Sequence, residues 1–304
     1  MKKFNSKIIC TYLYSITKYG YPPSADDTLK YIEEMASLGF TTIELEGIRE
    51  EHLKIVYNLR YKIRTSLDDN GLTLPYFCVV LPGLSSSEQK ERENNIGLFK
   101  LGCETAAICG AKGVLDNSPI PPYIFPKDIP VIRHYEEESL QSASLPDNFE
   151  WKKYYEMLVS TFRNLCDIAS NYDLTYQLHP ASGVLINTAD SFLHFYNSVG
   201  RENLRFNFDT ANLFAIKENL PLSLYKLKGH IDYIHFSDNG GNKVEHLEAG
   251  NGKINWNNFF TALKAIEYDG YIGLDIGGDE SGVNNLDDAY INSAQFLENN
   301  WFTK

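Results

Sequence analysis

Five polar side chains in the second half of the sequence are of types that bind metal ions or transfer protons: Gln177, His179, Asp209, His235 and Asp275. Each stands at or near the end of a short run of β-forming residues. Those runs are TYQLHP (175–180), FNFDTAN (206–212), YIHFSDN (233–239) and YIGLDIGG (271–278). Imidazole nitrogens and carboxylate oxygens bind divalent cations, and both groups act as acids or bases in catalysis. The pattern predicts an enzyme site built from the ends of several strands.

Side chains alternate between the two faces of a strand, so residues two apart in sequence share a face. Gln177 and His179 therefore share one face, and Asp209 lies opposite Phe206 and Phe208. We expect the apolar face of each strand to meet covering helices. The polar face is then predicted to point inward, toward a common centre.

The elements that must position these residues alternate between short β-type runs and longer stretches of helical periodicity. This alternation predicts βα units with a parallel sheet, and eight such units close a barrel. The predicted strands are 7–15, 40–46, 72–81, 112–116, 174–179, 204–209, 231–237 and 271–276. The predicted helices start near residue 24 and then span 50–69, 86–110, 151–172, 188–199, 220–229, 255–267 and 287–300. We therefore expect an α/β protein, a single-domain (β/α)8 TIM barrel over residues 1–304.

The composition indicates which binding partners and which cellular compartment to expect. The 304 residues are 43% hydrophobic and 22% charged, enough to bury a large core. The net charge of −12 comes without a basic stripe, so nucleic acid is an unsuitable partner. No apolar run is long enough for a membrane span. Five cysteines without a CxxC pair favour buried thiols in a cytoplasmic protein.

A long connection at residues 117–150 interrupts the regular alternation after the fourth strand. It holds six prolines and little periodicity, and connections of this length are usually functional or disordered. Its aromatic residues, Tyr123, Phe125, Tyr135 and Phe149, favour an ordered lid over a tether. A contact between subunits of a homo-oligomer would have the same composition, so that alternative stays open.

The eight-unit order and the four strand-end motifs resemble the xylose isomerase-like barrel superfamily. That superfamily includes sugar epimerases, sugar isomerases, inosose dehydratases and the endonuclease IV type of abasic-site nuclease. Its epimerases hold a divalent metal, often manganese, with Glu, Asp, His and Glu from strands five to eight. The resemblance assigns those positions to Gln177, Asp209, His235 and Asp275, with Mn²⁺ as the first choice and Mg²⁺, Co²⁺ or Zn²⁺ as alternatives.

The resemblance extends to the residues that would contact substrate. The segment from His246 to Trp256 is similar to a family feature in which a His precedes a glycine-containing turn and an apolar-aromatic stretch. Glu44 resembles the acidic residue that ends strand two. The resemblance therefore implies a sugar or polyol substrate, contacted by the following residues: Glu44, Glu46, Asn212, His246 and Trp256.

Two departures from the family pattern bear on the reaction. Gln177 stands where the family has Glu, and the amide cannot take up a proton at ordinary pH. Asp275 is one methylene shorter than the usual Glu. We therefore expect a metal-dependent carbohydrate isomerase or epimerase with an enediolate-type intermediate, in which Asp275 is the base and His179 a second proton donor. One base on one face suits aldose–ketose isomerisation better than epimerisation.

Other interpretations fit the same residues. An Asp at a strand end is commonly the N-cap of the next helix, and His179 could be a satisfied structural residue. By the resemblance, Asn212 occupies a position where family members often have His, and Val244 a position where the nuclease branch has an acidic ligand, which argues against DNA repair. A barrel that has lost catalysis and binds a sugar or metabolite is one alternative function. A metal-dependent polyol dehydratase is another. Arg205 is the only inward cation predicted near the strands, so an unphosphorylated substrate is favoured.

Overall fold

The computed structural model describes residues 3–126 and 137–302. Within them, eight strands alternate with helices along the chain. The strands are β1 Ile8–Cys10, β2 Leu45–Ile48, β3 Tyr76–Val80, β4 Gly113–Asn117, β5 Thr175–His179, β6 Leu204–Asp209, β7 Tyr233–Phe236 and β8 Tyr271–Leu274. The α-helices are α1 Leu13–Tyr19, α2 Thr28–Ser37, α3 Arg49–Asp69, α4 Gln89–Ile108, α5 Glu137–Ser142, α6 Trp151–Ser170, α7 Ala189–Val199, α8 Thr210–Ala215, α9 Leu220–Lys226, α10 Trp256–Ala265 and α11 Leu286–Leu297.

The strands are parallel and curl into a barrel. Their order in the sheet is β1-β8-β7-β6-β5-β4-β3-β2, so each strand pairs with its neighbour in sequence and β8 returns to β1. The remaining gap, between β1 and β2, is bridged at Cys10 and Ile43, where the amide of Glu44 donates to the carbonyl of Cys10 at 2.9 Å. This bridging supplies partners for the two sheet edges. The predicted (β/α)8 TIM barrel is confirmed.

The core of the barrel has two parts. The larger part lies between the strands and the surrounding helices, where outward residues such as Phe206 and Tyr176 are fully buried. The smaller part fills the interior of the barrel, where the rings of Tyr76 and Tyr233 stack with centroids 4.4 Å apart. Gly273 makes room there, because a Cβ at this position would collide with the Tyr233 hydroxyl. This packed floor leaves the carboxyl ends of the strands as the place for polar groups.

Helices α1, α5 and α8 differ from the sequence-based prediction, and α5 lies within the long connection after β4. Helix α1 begins inside the segment 7–15 that was predicted to be strand, because the chain turns immediately after the three-residue β1. Helix α8 follows β6 directly and was not predicted. Its first turn is capped by Asp209, whose Oδ1 accepts from the amide of Asn212 at 2.7 Å. Short helices of this kind carry little periodicity, so sequence patterns rarely show them.

The long connection after β4 is described in two parts, 117–126 and 137–150. They contain α5 and a bridge in which the amides and carbonyls of Ile124 and Ser144 pair at 2.9 Å. Residues 127–136, including Tyr135, lie outside the described part of the chain. The function of this connection as a lid or a subunit contact stays a prediction.

Two further sequence-based expectations concern the cysteines and the membrane. All five cysteines are buried and carry free thiols, as expected from the absence of a CxxC pair. In the described ranges, no helix combines the length and the apolar character needed to cross a bilayer.

Candidate metal and active site

Three buried histidines at the carboxyl end of the barrel are each held through one ring nitrogen. The Nε2 of His235 lies 3.1 Å from Oε2 of Glu44, and the Nδ1 of His246 lies 3.0 Å from Oε1 of Glu280. The Nδ1 of His179 lies 2.7 Å from the amide oxygen of Asn207. In a neutral ring, an oxygen acceptor at one nitrogen places the proton there and leaves the lone pair on the other nitrogen.

The second nitrogen of each ring faces two carboxylates, Asp209 and Asp275. His179 Nε2 lies 3.7 Å from Asp209 Oδ2, and His235 Nδ1 lies 3.9 Å from Asp275 Oδ2. His246 Nε2 lies between the two carboxylates, 3.9 Å from Asp209 Oδ2 and 3.5 Å from Asp275 Oδ2. These four separations exceed the normal length of an N–H···O hydrogen bond. The donor atoms therefore surround a common point.

This donor set fits a divalent cation. Two ligand atoms that each lie about 2.1 Å from one ion at a tetrahedral angle are about 3.4 Å apart, close to the separations found here. The atoms form two overlapping groups that share Asp209, one with His179 and His235, the other with His246 and Asp275, and each group lies within 4.8 Å. Asp209 Oδ2 and His235 Nδ1 are buried and lack hydrogen-bond partners among the described residues. Such orphaned buried atoms are costly unless a ligand satisfies them.

The electrostatic environment shifts the pKa values of His179 and His235 in opposite directions. Burial lowers the pKa of His179, an effect that the nearby Asp209 charge only partly opposes. His179 is therefore a neutral donor near pH 7. Burial also lowers the pKa of His235, but the charges of Glu44 and Asp275 outweigh it and raise that pKa to about 9. In the metal-free protein, His235 thus carries a proton that a cation would have to displace.

The barrel strands and their caps hold the two carboxylates in place. Asp209 pairs with His235 in the β6–β7 register, and its Oδ1 is fixed by the α8 cap, so Oδ2 is left to face the histidines. Asp275 follows β8, and its Oδ1 lies 3.1 Å from the Thr11 hydroxyl oxygen at the end of β1. The Asp209 cap is thus compatible with a ligand role, because the two carboxylate oxygens serve different partners.

The structure places a ring nitrogen of His179 in this cluster, and Gln177 stands two positions earlier on the same face of β5. Gln177 also faces the barrel interior, but its register partners are Leu115 and Arg205, one layer deeper. Its side chain lies near the hydroxyl of Tyr76, and both of its amide atoms are buried without hydrogen-bond partners among the described residues. Strand alternation places both residues on the inward face, and only their depth in the barrel distinguishes them.

The residues expected to contact substrate divide between the mouth of the barrel and the core. Glu44 is buried and accepts from the Tyr233 hydroxyl at 2.8 Å in addition to His235. Glu46 lies beside Glu44 and Cys78, with their ligand atoms within 4.8 Å. The side-chain nitrogen of Asn212, Nδ2, lies 3.4 Å from His179 Nε2, next to the donor cluster. His246 belongs to the cluster itself.

Trp256 lies outside the cluster. Its ring packs against Phe236, with centroids 4.2 Å apart, in the core behind β7. Its indole nitrogen donates to Oδ2 of Asp238 at 2.9 Å. Asp238 also accepts from the amides of Gly250 and Ile254, so this carboxylate organises the glycine-containing turn that leads into α10.

Sequence reasoning missed two residues that orient the histidines, Asn207 and Glu280. Asn207 precedes Asp209 by two positions on the same strand face, so alternation could have identified it. Glu280 has no comparable pattern. It reaches His246 only because Gly277 and Gly278 turn the chain after β8 with φ values of 126° and 75°, which side chains rarely adopt.

Comparison with known proteins agrees with the fold. A family model described as the xylose isomerase-like TIM barrel matches residues 32–300. Similar solved structures include the D-allulose 3-epimerase of Methylomonas sp. with D-allulose, with a TM-score of 0.73, 15% identity and 99% coverage of both chains. They also include the IolI protein with a zinc atom, with a TM-score of 0.70, 17% identity and 96% coverage of both chains.

A relative is found by sequence as well. An uncharacterized protein of Methanocaldococcus jannaschii is 30% identical over 134 residues, which cover 41% of this chain and 46% of that protein. The match thus spans less than half the length of this relative. The family assignment rests instead on the family model, which covers most of the chain. The chain belongs to the xylose isomerase-like TIM barrel family.

Proposed function

We propose that this protein is a divalent-metal-dependent carbohydrate isomerase or epimerase. The observation that carries the proposal is the convergence of three oriented imidazoles on two buried carboxylates, at distances of 3.5 to 3.9 Å. The barrel shared with a D-allulose 3-epimerase and with the zinc-bound IolI protein supports it. A cytoplasmic location is part of the same proposal.

The proposed ligands are His179, Asp209, His235 and Asp275, with His246 as a fifth donor. His179 thereby takes the role that the sequence pattern gave to Gln177. Neutral imidazoles and two carboxylates would place a formal charge of −2 around the cation. A set with three imidazoles suits a transition metal better than Mg²⁺. We propose Mn²⁺, with Co²⁺ and Zn²⁺ as alternatives.

The chemistry divides between the cation and the protein. A bound divalent cation would supply a Lewis acid that polarises a sugar carbonyl. Asp275 would remove the proton from the hydroxyl-bearing carbon next to that carbonyl and return it to the former carbonyl carbon through an enediolate-type intermediate, while the hydroxyl proton passes to the former carbonyl oxygen. Thr11, 3.1 Å from Asp275 Oδ1, would hold the carboxylate in position for this transfer. Burial of Asp275 at 5% exposure would keep water from competing for the proton.

The position of His179 favours one reaction within the class. Its Nδ1 is engaged by Asn207 and its Nε2 faces Asp209, so we assign it to the metal instead of to proton donation. We assign the role of base to Asp275 and that of ligand to Asp209, whose Oδ1 is held by the α8 cap. A single base working on one face of the substrate suits aldose–ketose isomerisation better than epimerisation, which needs proton transfer on two faces.

Solvent exchange tests the proposal. Protein loaded with Mn²⁺ would be incubated in D₂O with aldoses and ketoses, including D-allulose, and NMR would follow deuterium at the carbons next to the carbonyl. We expect metal-dependent incorporation together with an isomerised product, both abolished in Asp275→Asn at saturating Mn²⁺. Metal-replete protein that exchanges no proton with any sugar would refute the assigned reaction.

A further inference from the structure

The segment YIHFSDN (233–239), which supplies His235, ends in two polar residues that the proposed mechanism does not use, Asp238 and Asn239. Asp238 is 1% exposed and Asn239 is fully buried. Buried polar side chains need hydrogen-bond partners. The partners of this pair lie on the two chain segments that lead to and from His246, a member of the donor cluster.

Asn239 holds the segment that precedes His246. Its side-chain nitrogen Nδ2 donates to the carbonyl of Lys243 at 3.0 Å and to that of Glu245 at 3.1 Å. Its Oδ1 accepts from the amide of Gly241 at 2.6 Å. One amide side chain thereby ties the residue directly before His246 to the end of β7.

Asp238 holds the segment that follows His246. Its backbone pairs with that of Leu247 in an antiparallel bridge, with N–O distances of 2.8 Å and 3.0 Å. Its Oδ1 accepts from the amide of Ile254 at 3.2 Å, and its Oδ2 accepts from the amide of Gly250 at 2.9 Å. Hydrogen bonds to a charged acceptor are stronger than those to a neutral one, so removal of this charge should loosen the turn.

His246 needs this support because of its place in the chain. The other members of the cluster lie on strands or directly after one, whereas His246 lies in the connection between β7 and α10. Side chains on loops are held less precisely than side chains on strands. The carbonyl of His246 accepts from the amide of Gly277 at 3.0 Å, which joins the same connection to the end of β8. The position of His246 Nε2 in the cluster therefore depends on how firmly the flanking segments are held.

We propose that Asp238 and Asn239 are positioning residues for the metal centre. They hold His246 Nε2 at its distances of 3.9 Å from Asp209 Oδ2 and 3.5 Å from Asp275 Oδ2, which suit a shared divalent cation. Their effect on the cation is exerted through the backbone on either side of His246. The inference rests on the proposed function, in which His246 is the fifth donor.

A double-mutant cycle on Mn²⁺ affinity, measured by calorimetry on chelator-treated protein, tests the assignment. Asp238→Asn should weaken Mn²⁺ binding about 10–100-fold, the usual cost of losing a residue that orients a ligand. In the His246→Ala background the same substitution should change the affinity less than about threefold, because no imidazole is left to be displaced. Asn239→Ala should behave in the same way, and it carries the test if Asp238→Asn fails to fold.

Asn203→Ala is the matched control for Asn239→Ala. The side-chain nitrogen of Asn203 also donates to two backbone carbonyls, those of Cys166 at 2.8 Å and Leu174 at 3.3 Å, but it does so at the amino end of β6. This variant should have a lower melting temperature and an unchanged affinity for Mn²⁺.

The contrary results are distinct from one another. An equal loss of affinity in the wild-type and His246→Ala backgrounds would overturn the inference, because it would show general damage to the barrel. Affinities within about threefold of the wild type in both Asp238→Asn and Asn239→Ala would also overturn it and would leave the metal centre intact. A wild type without measurable affinity for Mn²⁺ would overturn the proposed function, and this inference with it.

Discussion

Replacing His179 by Leu should weaken Mn²⁺ binding at least 100-fold, whereas the same replacement at Gln177 should change it less than about threefold. Both side chains are buried on the inward face of β5, two residues apart, which makes the pair a matched comparison. His179 Nε2 lies 3.7 Å from the orphaned Asp209 oxygen, whereas the strand register pairs Gln177 with Leu115 and Arg205. Loss of a residue that merely orients a ligand commonly costs 10–100-fold in affinity, so loss of a ligand should cost at least the upper value.

The assay is titration of chelator-treated protein with Mn²⁺ by calorimetry, with thermal melting of the metal-free variants as the folding control. His179→Leu also leaves the amide oxygen of Asn207 without its partner, which should lower the free energy of unfolding by about 1 kcal/mol. Affinity is therefore the decisive quantity, and stability is not. Unchanged affinity in His179→Leu together with a large loss in Gln177→Leu would refute the assignment and restore Gln177 as the ligand.

Three further predictions follow from the surroundings of the cluster. Because His235 in the metal-free protein loses its proton only near pH 9, Mn²⁺ affinity should rise about tenfold per pH unit between pH 6.5 and 8.5. Calorimetry in two buffers of different ionisation enthalpy would detect the proton that Mn²⁺ binding releases. An affinity that does not change with pH would contradict the raised pKa of His235. Glu280→Ala should weaken Mn²⁺ binding about 10–100-fold and Asp279→Ala should not, as measured by the same titration; equal affinities would show that Glu280 does not orient a ligand. Trp256→Phe should lower the free energy of unfolding, measured in urea, by about 2 kcal/mol, because the indole hydrogen bond to Asp238 is lost. The KM for sugar should stay unchanged. A raised KM would show that Trp256 contacts the substrate.

The barrel could be read from the sequence because its main pattern is repetitive. Eight alternations of β-type runs and helical stretches predicted the order of the strands, and the β6 segment ended at Asp209 as the structure has it. The same patterns gave wrong predictions where the regular alternation of strands and helices is interrupted. Helix α1 was hidden in a segment rich in β-formers, and the short helix α8 has too few residues to show a period.

The candidate site was only partly accessible from the sequence, for a geometric reason. Strand alternation tells which face a side chain occupies but not its height along the barrel axis, so Gln177 and His179 could not be distinguished. Height depends on the stagger between neighbouring strands, which pairs Gln177 with Arg205 and leaves His179 at the end of β5. The position of Glu280 depends on a glycine turn, and that of Trp256 on packing behind β7; neither leaves a period in the sequence.

The metal content of protein purified without chelator tests the central claim most directly. Elemental analysis of the wild type and of His235→Ala, followed by Mn²⁺ titration of both, compares the cluster with and without one of its proposed ligands. We predict about one equivalent of a divalent transition metal in the wild type and its loss in His235→Ala. A wild type that carries no ion and has no measurable affinity for Mn²⁺ would contradict the metal-dependent function.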